Sequence, residues 1–304
     1  MPPPTEMPAN PANPAPPYHR FSDFIDTKQN RFDVLVSLLD ELKLPVYVVN
    51  MAGRRHIFVQ PSSGGTFGKN GLTVLVAHYD RVAGSPGAND NGAAVFMLID
   101  AALRLRGRVT DGWLIILTDK EELSDGEGLK VQGAYRLALC LKETRLESGD
   151  FFIFDSCGRG DTLIISNTAG YLLKNERGGT IAPLKNRFRL LRLRAVEAAK
   201  KRLDGRFLLM PTPFSDDAGF LRAGLAAQTI TALPKEEAAA FLATVRRNEL
   251  YIDALISRER RQFRGAEHIP PTWRSLNSPE DTADRLDWNN FENVVRFAIE
   301  LVAR

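Results

Sequence analysis

Cysteine is nearly missing from this chain: there are 2 in 304 residues, Cys140 and Cys157. Two thiols do not make a disulfide framework in a chain of this length, so a reducing compartment is expected. A surplus of one charge is missing too. The net charge is +3, which calls for no nucleic-acid partner. No apolar run approaches the length of a bilayer span, so no membrane role is expected. The N-terminus lacks a basic start followed by an apolar core, so no secretory signal is read and the expected location is cytoplasmic. There is no internal repeat.

What is present suits one large α/β domain, with 44% hydrophobic and 25% charged residues. Residues 1–17 are crowded with proline and are expected to form a disordered or polyproline-like tail. Residues 18–304 are expected to form a single domain.

One run organises that domain. Leu72-Thr-Val-Leu-Val-Ala77 reads as a strand buried on both faces. It ends at His78, with Asp80 two positions on. Alternate residues of an extended chain share a face, so His78 and Asp80 can lie close together. A metal-bound imidazole usually donates its second ring N–H to an oxygen. A loop with Gly84, Pro86 and Gly87 leads to Asp90, and an apolar helix runs from Ala93 to about Leu105. Asp90 thus falls near a helix N-terminus, where a carboxylate is favoured.

Strands and helices alternate through the rest of the chain. Apolar spacing predicts one helix from Phe21 to Leu42, ended by Pro45. Val46–Val49 and His56–Val59 read as a hairpin at a sheet edge, and Ser62-Ser-Gly-Gly as a turn. Strands are expected at Trp113–Thr118, Phe151–Phe154, Thr162–Ile165, Phe207–Met210 and Ala227–Leu233. Helices are expected at 131–141, 184–203, 289–302 and from Pro234 to about Arg261. This alternation predicts a mostly parallel central sheet with helices on both faces.

Chemistry gathers just past the strand ends. Asp119-Lys-Glu121-Glu122 follows one strand, Asp155-Ser-Cys-Gly another, and Ser215-Asp-Asp217 comes after a proline-rich loop. Sites in open α/β sheets lie outside the carboxyl ends of the strands, which places His78, Asp90, Glu121, Glu122 and Asp155 on one edge. Gathered carboxylates repel unless a cation offsets them. One histidine among several carboxylates suits Zn²⁺, Mn²⁺ or Co²⁺ better than a thiolate site would.

The ordered set His-x-Asp, Pro-Gly-Ala-Asn-Asp, Glu-Glu, Phe-Asp-x-x-Gly, Ser-Asp-x-x-x-Phe and Pro-x-Asp-Thr resembles the co-catalytic zinc aminopeptidases. These belong to metallopeptidase family twenty-eight, which also includes the glutaminyl cyclases. The similarity runs from about Val74 to Asp287. It implies a zinc exopeptidase-like three-layer sandwich and a metal-dependent exopeptidase acting on a peptide or aminoacyl substrate. It further implies that His78 and Asp155 bind one zinc, that Asp80 orients His78, and that Asp90 bridges two metals. Glu121 would be the general base for metal-activated water, and Glu122 would bind the second metal.

Two positions depart from the family pattern. The last ligand, a histidine in the family, is matched by Asn277 in Asn277-Ser-Pro-Glu-Asp281-Thr282. An amide oxygen is a poorer zinc ligand than imidazole. The first site is therefore expected to hold zinc firmly, and the second to be weak, empty or taken by a harder ion such as Mn²⁺. Asp217 stands where the family usually has histidine, as a compensating carboxylate, a holder of a substrate amine or a residue without a role. Trp273 is expected to line the substrate pocket.

Alternatives stand beside these readings. The resemblance also covers a glutaminyl-cyclase-like acyltransferase, which would need a closed apolar pocket that Trp273 and Trp288 permit. A non-catalytic metal-binding homologue is the other, because of Asn277. Lys120 offers Glu121 an ordinary surface pair. His268 is a remote substitute for the missing ligand, and Cys157 reads as small core filler. His19 and His56 are expected at the surface. The basic stretch Lys185–Arg206 reads as a solvated face, with an acidic partner or membrane surface as its other reading.

Overall fold

The structure is a computed structural model and describes residues 17–61, 71–109, 111–144, 146–256 and 266–303. Most of the proline-rich tail, the Ser62 turn and the stretch after Ile256 up to Arg261 lie outside the described residues.

Eight strands form one sheet: β1 Val46–Met51, β2 Arg54–Val59, β3 Thr73–His78, β4 Trp113–Thr118, β5 Asp150–Phe154, β6 Thr162–Ser166, β7 Phe207–Met210 and β8 Ala227–Leu233. Their order is β1-β2-β4-β3-β5-β8-β6-β7. The central strands β4, β3, β5 and β8 are parallel. The β1–β2 hairpin joins β4 antiparallel, at the expected edge.

Helices cover both faces. They are α1 Phe21–Ile25, α2 Arg31–Glu41, α3 Ala93–Leu105, α4 Gly133–Glu143, α5 Thr168–Leu172, α6 Ile181–Arg202, α7 Asp216–Arg222, α8 Lys235–Arg247, α9 Leu250–Ile256, α10 Pro271–Arg274 and α11 Trp288–Val302. The alternation of side chains along a strand shows why each central strand is apolar throughout. Leu75 and Ala77 join the core under α3 and α11, whereas Val74 and Val76 join the core under α4. Ile115 and Phe152 face the first core, Ile116 and Ile153 the second. The result is the three-layer sandwich.

Two expected helices are each broken. The 21–42 stretch divides at Asp26–Asn30, because short polar side chains there bond the backbone instead of letting the helix run on. Asp26 accepts the Lys28 N–H at 2.9 Å, and Asn30 accepts the Phe32 N–H at 3.0 Å as the cap of α2. The helix after Pro234 ends at Arg247. Asn248 is extended there, with φ −152°, and accepts the Leu250 N–H at 3.0 Å.

The far side of the sheet brings another loop to the site. Ile230 lies opposite both Phe154 of β5 and Ile165 of antiparallel β6. β6 therefore starts beyond the end of β5 and runs back to its level. β7 parallels it, with Met210 opposite Ser166, so the Pro211–Phe214 loop arrives level with the end of β5.

The basic helix α6 keeps most of its charge on a solvated face, as expected, and four of its side chains pair with two acids. Arg187 and Arg194 pair with Asp150, and Lys201 and Arg202 pair with Glu300.

Candidate metal centre

β3 delivers His78 to the carboxyl edge with its side chain 1% exposed. Its Nδ1 lies 3.4 Å from Asp80 Oδ1. Parallel pairing of β3 with β4 sets His78 opposite Thr118, so the chain leaving β4 passes over Asp80. Asp80 accepts the backbone N–H of Glu121 with one oxygen and that of Glu122 with the other, both at 3.0 Å. One carboxylate thus faces the imidazole and fixes the Glu-Glu turn. Burial alone would raise the Asp80 pKa, but the bonds from His78 and the two amides hold it below the usual value.

Asp90 is carried back to the imidazole by a loop tied down at several atoms. Gly87 turns with φ 59°. The Asp281 carboxylate accepts the N–H of Asn89 at 2.8 Å and of Asp90 at 2.9 Å. Asn89 Oδ1 accepts the Gly158 N–H at 2.7 Å. Asn91 donates to Phe154 O at 2.8 Å and accepts the Ser156 N–H at 3.1 Å. These bonds join the start of α3 to the end of β5, and so Asp90 to Asp155. Asp90 Oδ1 is 3.1 Å from His78 Nε2, and Asp155 Oδ2 is 3.9 Å from it. His78 Nε2 is buried with no hydrogen-bond partner among the described residues.

Glu121 and Glu122 converge from the other side. One ligand atom from each lies within 4.8 Å of the other and of His78, and the same holds for His78, Asp90 and Asp155. Gln132 donates to Glu121 Oε1 at 3.3 Å. Asn277 donates to Glu122 Oε2 at 3.2 Å, while Glu122 Oε1 is buried without a partner among the described residues. Lys120 is engaged with Glu127 at 2.7 Å, so it does not neutralise Glu121.

The titration pattern is that of a site short of positive charge. Burial and the Glu122 charge push Glu121 well above the normal carboxylate range. Burial and the Asp90 charge do the same to Glu122. Burial works against a proton on His78, yet the carboxylates of Asp80 and Asp90 facing its ring raise its pKa. Carboxylates that resist ionising together beside an orphaned imidazole nitrogen fit a divalent cation. The residues open onto a cleft of about 1230 Å³, walled by Phe214, Ile269, Trp273 and Leu276 with Thr212 and Thr231.

The sequence pattern of peptidase family M28 matches residues 61–302. The chain belongs to peptidase family M28. No curated protein matches it. Among solved structures, a zinc aminopeptidase from Bacillus subtilis is similar at 19% identity and TM-score 0.53, over 82% of this chain and 49% of that one. The LapA aminopeptidase of Legionella pneumophila aligns at 12% identity and TM-score 0.60, over 94% and 69%. A glutaminyl cyclase from Porphyromonas gingivalis aligns at 14% identity and TM-score 0.60, over 93% and 95%. The chain thus spans about half the length of the Bacillus enzyme and nearly all of the cyclase. At these identities the likeness is one of fold.

Within this M28 chain, His78, Asp80, Asp90, Glu121, Glu122, Asp155 and Asn277 are brought together. Trp273 lines the cleft and packs edge-on against Phe241, ring centres 5.6 Å apart. Asp217 does not line it. Its Oδ1 turns back to accept the Ser215 N–H at 2.9 Å, so it is not placed to hold a substrate amine. Burial pushes it up to about 6. Trp288 is also elsewhere, in an aromatic cluster with Tyr18, Phe21 and Phe291. His268 stacks edge-on against Tyr251, away from the ligand groups. His56 is buried, not exposed, and Cys157 is core filler.

Sequence reasoning missed four contributors. Asp281 was visible only as part of the Asn277 run, without its role as acceptor for the Asp90 loop. Asp216, beside Asp217, is the buried partner of Thr118, with Oγ1 donating at 2.5 Å. Gln132 steadies Glu121. Arg31 bonds the carbonyls of Tyr79, Asp80, Pro86 and Gly87, and nothing in the pattern around it signals this.

Among the described residues, no helix is long and apolar enough to cross a membrane.

Proposed function

We propose that the protein is a metal-dependent exopeptidase of the aminopeptidase type, cleaving a peptide or aminoacyl amide bond. The observation that carries this reading is the convergence of His78, Asp90 and Asp155, with Glu121 and Glu122 beside them, the four carboxylates lining the cleft. His78, Asp90 and Asp155 would hold one zinc ion firmly. Asp90, Glu122 and Asn277 would hold a second ion weakly, or a harder ion such as Mn²⁺. Metal bound there supplies a polarised carbonyl and a water whose pKa falls to about 7.

The chain's own residues supply the rest. Asp80 fixes the His78 ring from behind. Glu121 is held by Gln132 beside the carboxylates that would hold metal, placed to take a proton from water and return it to the leaving amine. Phe214, Ile269 and Trp273 offer an apolar wall to the substrate and exclude water from one side. The free thiols Cys140 and Cys157 support a reducing compartment, the cytoplasm.

Glu121→Gln keeps the shape of the side chain and removes the base. Turnover on a panel of aminoacyl amides should fall by ~10²–10⁴-fold, with bound metal unchanged. Retained turnover would remove Glu121 from this role. If the wild-type protein turns over nothing on the panel and the substitution alters no property, the non-catalytic reading replaces this one.

A glutaminyl-cyclase-like transfer is the second reading, favoured by Trp273 in the cleft wall. Ammonia release from a peptide with N-terminal glutamine, without hydrolysis of aminoacyl amides, selects it.

A further inference from the structure

The loop from Tyr79 to Asp90 is held from beneath by one buried cation. Arg31, the first residue of α2, is 5% exposed. Its Nε donates to Phe24 O at 3.3 Å. Nη1 donates to Tyr79 O at 3.1 Å and Asp80 O at 3.0 Å. Nη2 donates to Pro86 O and Gly87 O, both at 2.7 Å. A guanidinium has five N–H groups, and each finds a backbone carbonyl here.

The placement of those carbonyls matters. Tyr79 and Asp80 follow His78 directly, and Pro86 and Gly87 lead into Asp90. Arg31 therefore joins the two arms of the loop at their base. Gly87 is shaped for it: a Cβ there would lie 2.7 Å from Arg31 Nη2 and 2.5 Å from Asp90 O. The guanidinium also sits over the Phe24 ring, 4.3 Å from its centre. Burial lowers the Arg31 pKa to about 9, with the nearby Arg81 charge adding to this and Asp80, Asp90 and Asp281 opposing it. The group stays charged at neutral pH. Arg81 fastens the same segment from the loop side, donating to Ile25 O at 3.0 Å and Asp26 O at 2.9 Å.

We propose that Arg31 is a positioning residue of the metal centre, a five-point clamp that sets the separation of His78 and Asp90 and so the affinity for metal. The clamp comes from a part of the chain that precedes the family match, which begins at residue 61. The α1–α2 segment is then a working part of the site and not only a cover for the core. This rests on the metal-centre reading above.

Lysine has a point charge and three donors and cannot span both arms of the loop. Removing an outer partner of a ligand typically lowers metal affinity by about 10–100-fold. The test is a zinc titration of the full chain against a competing chelator, with thermal unfolding of the metal-free protein alongside. Arg31→Lys and Arg31→Ala should each bind zinc at least ~10-fold more weakly than wild type, and millimolar guanidinium should restore part of the affinity of Arg31→Ala. Arg104→Met is the control. It cuts a partly buried network with Asp100 and Glu292 that makes no bond to the loop, and should lower the unfolding midpoint without moving zinc affinity. If Arg31→Ala does not fold, Arg31→Lys decides. A folded Arg31→Lys with wild-type zinc affinity overturns the proposal. So does a loss of affinity that Arg104→Met reproduces. Wild-type protein that takes up no zinc fails the metal-centre reading itself, a result separable from either.

Discussion

Asn277 points its amide nitrogen, not its oxygen, at Glu122, donating to Oε2 at 3.2 Å. That bond occupies a carboxylate lone pair that a second cation would need. Asn277 takes a left-handed conformation with φ 59°, which asparagine tolerates better than most residues. In this arrangement the amide faces Glu122 as a hydrogen-bond donor, and its oxygen would have to turn inward to serve a second ion.

Asn277→His is expected to reverse this. An imidazole presents a lone pair instead of an N–H donor, and it is a stronger zinc ligand than an amide. Metal analysis under zinc-replete conditions should rise towards two ions per chain. Unchanged occupancy would break the alignment of Asn277 with the family's last ligand.

The Glu-Glu turn has its own steric condition. Gly133 opens α4 with its N–H on Lys120 O at 2.8 Å. A Cβ at Gly133 would lie 1.7 Å from Asp119 O and 3.1 Å from the His56 ring. Backbone cannot yield as a flexible side chain does, so α4 or the 119–122 turn must move. Gly133→Ala should cost about 1–3 kcal/mol, as for overpacking of a tight interior, read by urea unfolding. It should also reduce turnover beyond the loss of folded protein, because Glu121 and Glu122 shift with the turn. A variant as stable and active as wild type would show that the contact is easily relieved.

Much of this architecture is legible in the sequence, for a physical reason. β3, β4 and β5 are buried on both faces, so they read as unbroken apolar runs with abrupt ends. Those ends place His78, Glu121 and Asp155 on one edge from the residue pattern alone. What stays hidden depends on backbone carbonyls or on which way a side chain turns. Arg31 binds only main-chain oxygens, and main-chain oxygens leave no residue pattern. Asp216 and Asp217 are adjacent acids, and only the seating of α7 decides that Asp217 bonds the Ser215 N–H while Asp216 meets Thr118. The break at Asp26–Asn30 likewise needs the caps, since the apolar spacing runs straight through it. His56 looks like a surface residue until β2 is paired between β1 and β4.

His56 gives the fold a pH dependence of its own. The side chain is fully buried, its Nδ1 accepts the Asp119 N–H at 3.3 Å, and burial pushes its pKa down to about 4. In the unfolded chain a histidine titrates near ~6.5. Between these values the unfolded state binds the proton and the folded state does not. The stabilisation from neutral His56 is therefore complete above pH ~6.5 and declines as pH falls towards ~4. Down to pH 4.5 the loss amounts to roughly 2–3 kcal/mol, at 1.36 kcal/mol for each pKa unit. Urea unfolding of wild type and His56→Phe at pH 7.5 and pH 4.5 isolates it, since phenylalanine fills similar space without titrating. Wild type should lose more stability than the variant on acidification, by about that amount. Equal losses would mean that His56 accepts its proton inside the fold, with Asp80 close enough to stabilise the charge.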